Sequence, residues 1–231
     1  MDDTPQPADT SAPGTVAASA DGRADGQATE ARIFDAALHV FARKGRDGAR
    51  MQEIADEAGI HRGLLHYYFR SKDRLYREVF TYLFRQFMAS IEATLEPGLP
   101  FPEMLRRFIE HYIDYLRDRQ DMLRLMVNEN VSGGTLIGEH LARAFATEGS
   151  PQQRMEESIR GAADRGEIRS VDPRQTILSI VSACGFFLIM KPTVRALNPE
   201  ARDDFDAFVE SRKRHVYELV FEGLRPREAS T

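Results

Sequence analysis

The sequence predicts an all-α fold: a three-helix head containing a helix-turn-helix, followed by a body of six or seven helices. Three observations predict it. From residue 29 onward, apolar residues recur at spacings of three and four, the period of a helix face. No strand-like alternation of useful length occurs, and no internal repeat. Glycine and proline fall where successive helical patterns would stop or start.

The 231 residues suit one small and one medium domain and can bury a substantial core. Three segments follow from composition and pattern: a tail over 1–28, a head over 29–80 and a body over 81–231. In residues 1–28, 23 positions are Ala, Asp, Gly, Pro, Ser or Thr. Such a segment cannot bury enough surface to offset its ordering entropy, and it is expected to be a disordered acidic tail. The net charge is −5 overall, with −4 in 1–28 and +2 in 29–80. A net-acidic chain argues against nucleic acid at first sight, but the head is the one net-positive segment, by a small margin. Cys184 is the lone cysteine, so no internal disulfide forms, and a reducing, cytoplasmic setting fits. The start of the chain lacks a secretory pattern. The longest apolar run, Ile177–Met190, is interrupted by Ser179, Ser182 and Gly185 and is too short for a bilayer, so no membrane partner is expected.

The first helix is predicted from a Thr29 cap to about Lys44, with Ile33, Phe34, Ala37, Leu38 and Phe41 on one face and Gly45 ending it. Residues 50–72 then read as two short helices around a tight turn. In the first, Met51, Ile54, Ala55 and Ala58 face inward, and the small Ala55 lets a second helix cross closely. Gly59 is placed for the left-handed conformation that ends a helix, and Ile60 plugs the corner. The second helix, about Arg62–Phe69, turns Leu65 and Phe69 inward and leaves Arg62, Gly63, His66 and Tyr67 on other faces. It is too short to stand alone. A short, supported helix displaying Arg, His and Tyr suits a DNA major groove.

Beyond it, helices are predicted over 72–95, 102–119, 120–131, 135–146 and 151–165. Another runs from the Asp172-Pro173 cap to about Met190, stopped by Lys191-Pro192, and a last one covers 199–221.

The order Ile33–Phe41, Lys44-Gly45, Ile54-Ala55, Ala58-Gly59-Ile60, Gly63, Leu65, Tyr68-Phe69 and Ser71-Lys72-Asp73 with Leu75 resembles the TetR family of bacterial regulators. The resemblance implies a DNA-binding head, a ligand-sensing and dimerising body, a homodimer, double-stranded operator DNA as partner and an unknown small-molecule effector. It further implies roles at single positions. Arg62 reads a base, Tyr67 touches a thymine methyl or sugar, Tyr68 and Lys72 meet phosphate, and Gly63 lets the backbone approach. Arg50, Gln52, His61 and His66 complete the expected DNA-binding set. Departures from the family pattern lie at Ala49 and Arg50, at His61 in place of a serine cap, and at Leu64 and His66. The cap of the first motif helix is expected to fall to Asp47, with Arg50 free to meet phosphate by charge.

For the body, Phe87, Phe108, Tyr112, Met122, Met126 and Phe186 are candidate pocket walls, with His111 and Asn128 as polar anchors. The same spacing also suits plain core, and the sequence leaves both open. By the resemblance, the last two long helices form the dimer interface, with Ile180, Cys184, Phe187, Phe208 and Val216 as contacts. No metal spacing among the six histidines, no phosphate-cradling loop and no nucleophile motif occurs, so neither enzyme, metal nor cofactor is expected. The competing reading is a helical scaffold or adaptor dimer that has lost sequence-specific DNA binding.

Overall fold

The computed structural model describes residues 18–96 and 98–226, with side chains from Gly26 onward. It contains α1 (Ala18–Gly48), α2 (Met51–Glu57), α3 (Arg62–Tyr68), α4 (Lys72–Glu92), α5 (Phe101–Asp118) and α6 (Gln120–Val131). These are followed by α7 (Thr135–Ala146), α8 (Pro151–Asp164), α9 (Pro173–Ile189), α10 (Lys191–Leu197), α11 (Pro199–Asp203) and α12 (Phe205–Leu224). Among the described residues there is no strand.

The expected tail needs correction. Residues 1–17 lie outside the described residues, but 18–28 are helical and extend α1 toward the N-terminus. Thr29 is therefore not a cap. It is buried inside α1, where its hydroxyl accepts a hydrogen bond from Arg32 Nη2 at 3.3 Å. The extension has a docking partner: a Cβ at Gly26 would lie 3.6 Å from the Tyr68 hydroxyl. At its other end α1 breaks at Gly45, whose φ of 68° only glycine adopts cheaply.

In the head, α1, α2, α3 and the first half of α4 enclose Ile33, Ala37, Phe41, Ile54, Ala55, Leu65, Phe69, Leu75 and Val79. The turn between α2 and α3 is a Schellman motif. The Ile60 N–H donates to the Ala55 carbonyl at 3.0 Å and the Gly59 N–H to that of Asp56 at 3.2 Å, with Gly59 at φ 66°. The expected cap is absent: the N-cap position of α2 is Arg50, not Asp47, and that of α3 is His61, neither with a capping side-chain hydrogen bond.

The head core does not close at residue 80. It continues through Phe80 and Phe84 of α4 onto Leu125 of α6 and Leu136 and Ile137 of α7. Polar ties reinforce this seam. Asn128 Nδ2 donates to the Ala42 carbonyl at 3.3 Å, and Arg77 Nη1 meets Glu139 at 3.0 Å. Buried Glu129 accepts from the Tyr76 hydroxyl at 3.0 Å and from the Leu136 N–H at 2.8 Å. The second core gathers α4, α5, α8, α9 and α12 around Phe101, Leu105, Ile109, Ile113, Ile159, Cys184 and Val216.

Two predicted boundaries shift. Lys191-Pro192 ends α9, but the chain turns through 75° into α10, with Pro192 in a first turn where its missing N–H costs nothing. The expected helix over 199–221 divides at Asp204, whose carboxylate caps α12 by accepting from the Asp206 and Ala207 N–H groups at 3.0 and 2.9 Å. No single helix among the described residues is long and apolar enough to cross a membrane.

Candidate DNA-binding face and effector cavity

Helix α3 is held by Leu65 and Phe69, both buried, and by α2 crossing at Ala55. This fixes the other side of α3 outward. Arg50, Gln52, His61, Arg62, Gly63, Leu64, His66 and Tyr67 are all exposed, and the Tyr67 side chain stands 80% exposed. The predicted outward residues are thus accessible to an external partner.

The charges of the head are sorted. Arg43 pairs with Glu57 at 2.7 Å, Lys44 with Glu53, Arg46 with Asp73 at 3.1 Å and Arg74 with Glu78 at 2.7 Å. The Arg43 and Lys44 partners hold Glu57 and Glu53 below the usual carboxylate range. Among the described residues Arg50, Arg62 and Arg70 make no such pair, and all three are exposed, Arg50 before α2, Arg62 at the start of α3 and Arg70 just past it. Arg32 of α1 and Lys72 at the start of α4 also make no carboxylate pair among the described residues. Arg70, just past α3, did not figure in the sequence-based set.

Two expected phosphate partners serve the fold as well. Lys72 Nζ donates to the carbonyls of Asp47 at 3.0 Å and Ala49 at 3.1 Å, tying the α1–α2 loop to α4 and leaving one N–H to spend. Tyr68 is half-buried, stacked near Phe69 and covered on its hydroxyl side by α1.

The body holds a cavity of about 400 Å³ between α4, α5, α6, α7, α8 and α9. Of the predicted walls, Phe87, Phe108, Tyr112 and Met126 line it, joined by Phe84, Met88, Phe145, Met155, Leu178 and Val181. Four predicted pocket residues do not. Met122 is buried in the body core, Asn128 is spent on the head carbonyls, and His111 sits beside the Tyr115 ring. Phe186 points outward and is 62% exposed. Helical spacing placed these residues on the right elements but not on the right side of them. The polar lining is Tyr112, Gln152, Arg174 and Gln175. Of these, only Tyr112 was anticipated, because the others start helices whose ends meet only in the folded chain.

The predicted dimer contacts also need correction. Ile180, Cys184, Phe187 and Val216 are buried within the protomer, and Phe208 is half-buried. Burial pushes the Cys184 thiol up to about 12, so it is a neutral packing group. The opposite faces of the same helices carry the exposed apolar side chains: Leu178, Phe186 and Ile189 on α9 and Leu219 on α12.

A helix-turn-helix head with an outward basic face, joined through one long helix to a body enclosing an apolar cavity, defines a DNA-binding regulator with an internal sensor. Comparison with known families agrees. Residues 33–79 match the bacterial regulatory proteins of the tetR family, and residues 102–220 match the tetracyclin repressor-like C-terminal domain. The chain belongs to the TetR family of helix-turn-helix transcriptional regulators. It is similar to the regulator RutR of Escherichia coli K12, 28% identical over 198 residues, covering 84% of this chain and 90% of RutR. It is also similar to the repressor SCO4008 of Streptomyces coelicolor, 27% identical over 75% of this chain and 84% of that protein. Among solved structures, the putative regulator SCO4942 of Streptomyces coelicolor superposes with a TM-score of 0.64 at 26% identity, covering 86% of this chain and 99% of that one. FadR of Bacillus subtilis, solved with stearoyl-CoA, superposes at 0.63 over 85% of this chain and 100% of FadR, at 19% identity.

Proposed function

We propose that this protein is a homodimeric repressor, acting in the cytoplasm on the chromosome, that leaves its operator when a small apolar ligand enters the body cavity. One observation carries the reading: α4 belongs to both sites. Leu75, Tyr76 and Val79 at its start are part of the head core, whereas Phe84, Phe87, Met88 and Ile91 further along are cavity wall. A ligand that reshapes the cavity acts on the helix that carries the head, and binding linkage then requires it to change operator affinity. A protein of the same fold, FadR of Bacillus subtilis, holds stearoyl-CoA, which supports the idea that such a body can enclose an apolar ligand.

In the proposed complex Arg62 reads a base, Tyr67 meets a thymine methyl or sugar, and Gly63 permits close approach. Arg50, Arg70 and the spare N–H of Lys72 meet phosphate, with Gln52, His61, His66 and Tyr68 along the contact rim. The dimer forms through the exposed face of α9 and α12, Leu178, Phe186, Ile189 and Leu219, with two heads about 34–36 Å apart in successive major grooves.

The test is fluorescence anisotropy against DNA from the gene's own promoter region, with N-phenyl-1-naphthylamine as a neutral apolar cavity probe. Specific binding that the probe weakens is expected. Absence of sequence-specific binding at moderate salt would leave the scaffold reading standing.

A further inference from the structure

We infer that the natural ligand of this cavity is an amphiphile carrying one carboxylate, with its apolar body among the aromatic walls and its carboxylate on Arg174. The inference rests on the effector reading of the cavity and names the class of molecule it takes.

The charge of the lining points this way. Arg174 is its one cation, and no carboxylate lines it. The Arg174 side chain is 69% exposed and is contacted from two sides. Its Nε donates to Glu156 Oε1 at 2.9 Å, and it lies 5.3 Å over the ring of Phe145, itself a cavity wall. Among the described residues, its two terminal nitrogens make no hydrogen bond. Glu156 does not neutralise it fully. That carboxylate is buried and also accepts from Arg160 Nη2 at 2.6 Å, so one anion is shared by two cations and the group keeps one positive charge. A guanidinium oriented through its Nε, with its paired N–H edge unspent, matches the two oxygens of a carboxylate. A single net charge suits a monoanion better than a phosphate dianion.

Two further groups show that the cavity is built for a partner with polar atoms. Gln152 Oε1 is buried with no hydrogen-bond partner. Tyr112, half-buried, places a second polar group in the same lining. Burial pushes its ionisation upward, so it stays a neutral donor. The Gln152 oxygen is left unpaired without a ligand, which is costly in an apolar setting.

The experiment is displacement of N-phenyl-1-naphthylamine from the full-length protein by decanoate, 1-decanol and decyl phosphate, below their micelle concentrations and at neutral pH. Decanoate is expected to displace the probe at about ten-fold lower concentration than the alcohol, the size of one charge-assisted hydrogen-bonded contact. Arg174→Gln should remove that preference without changing the potency of the alcohol, and Arg174→Lys should restore part of it. Equal potency of acid and alcohol, a preference retained in Arg174→Gln, stronger displacement by decyl phosphate, or no displacement by decanoate would each overturn the inference. The effector reading fails separately: decanoate that binds through Arg174 yet leaves the DNA complex intact sinks that reading and not the ligand class. If the neutral probe releases DNA while acid and alcohol compete equally, the reverse holds.

Discussion

At the scale of single residues, Arg62 and Lys72 separate two kinds of contact. Arg62 is exposed, makes no ion pair among the described residues and stands at the start of α3. Its truncation to alanine should cost about 1–3 kcal/mol of discrimination at one base pair while leaving the melting temperature unchanged, as read by binding to a set of singly substituted operators. Lys72 differs because its ammonium already bonds the Asp47 and Ala49 carbonyls. Lys72→Ala should weaken binding to every DNA sequence and also lower stability by about 1–2 kcal/mol, since two carbonyls lose a charged donor. A thermal melt beside the binding curve separates the two losses. The outward set of the recognition helix was legible in the sequence because Leu65 and Phe69 fix which side faces in. The second role of Lys72 was not, because it depends on a loop 23 to 25 positions away in the chain.

At the scale of elements, the α2–α3 turn is the sharpest match between pattern and structure. Ala55, Gly59 and Ile60 occupy the three positions that a Schellman turn needs, and Gly59 adopts the left-handed φ expected of it. Gly59→Ala should therefore cost about 1–2 kcal/mol through backbone strain alone, since a Cβ there meets nothing within 4 Å. Chemical denaturation would measure it. The long helices misled in a different way. On α9, apolar residues occur on nearly every side, so periodicity does not separate the face against α5 from the outer face. Cys184 and Phe186, two positions apart, lie on opposite sides: the first is fully buried and the second exposed. The N-terminal extension of α1 was missed because its composition is that of a disordered segment.

At the scale of the molecule, the proposed dimer would use the exposed apolar side chains of α9 and α12. Replacing both Phe186 and Leu219 by Asp should give a folded monomer with intact helical content, detected by light scattering, and should abolish tight operator binding by removing the second head. The sorted charges of the head set a second expectation. With Arg50, Arg70 and Lys72 as the proposed phosphate contacts of each protomer, a dimer engages about six phosphates, so log K against log salt should fall with a slope of about −5. A slope near −10 would mean that the internally paired arginines also reach DNA. The all-helical class and the head-and-body plan were legible in the sequence. The polar lining at Gln152 and Arg174 was not, because it is assembled from the first turns of two helices.

The shared core between head and body also limits portability. Leu125, Leu136 and Ile137 pack with the head, and α4 runs unbroken through residue 80. A chimera cut at residue 80 would expose that seam and sever the helix in its first half. An exchangeable reading unit from this protein has to carry α6 and the start of α7 with it. Regulators assembled by swapping heads at the usual family boundary would lose the partner that holds this one in shape.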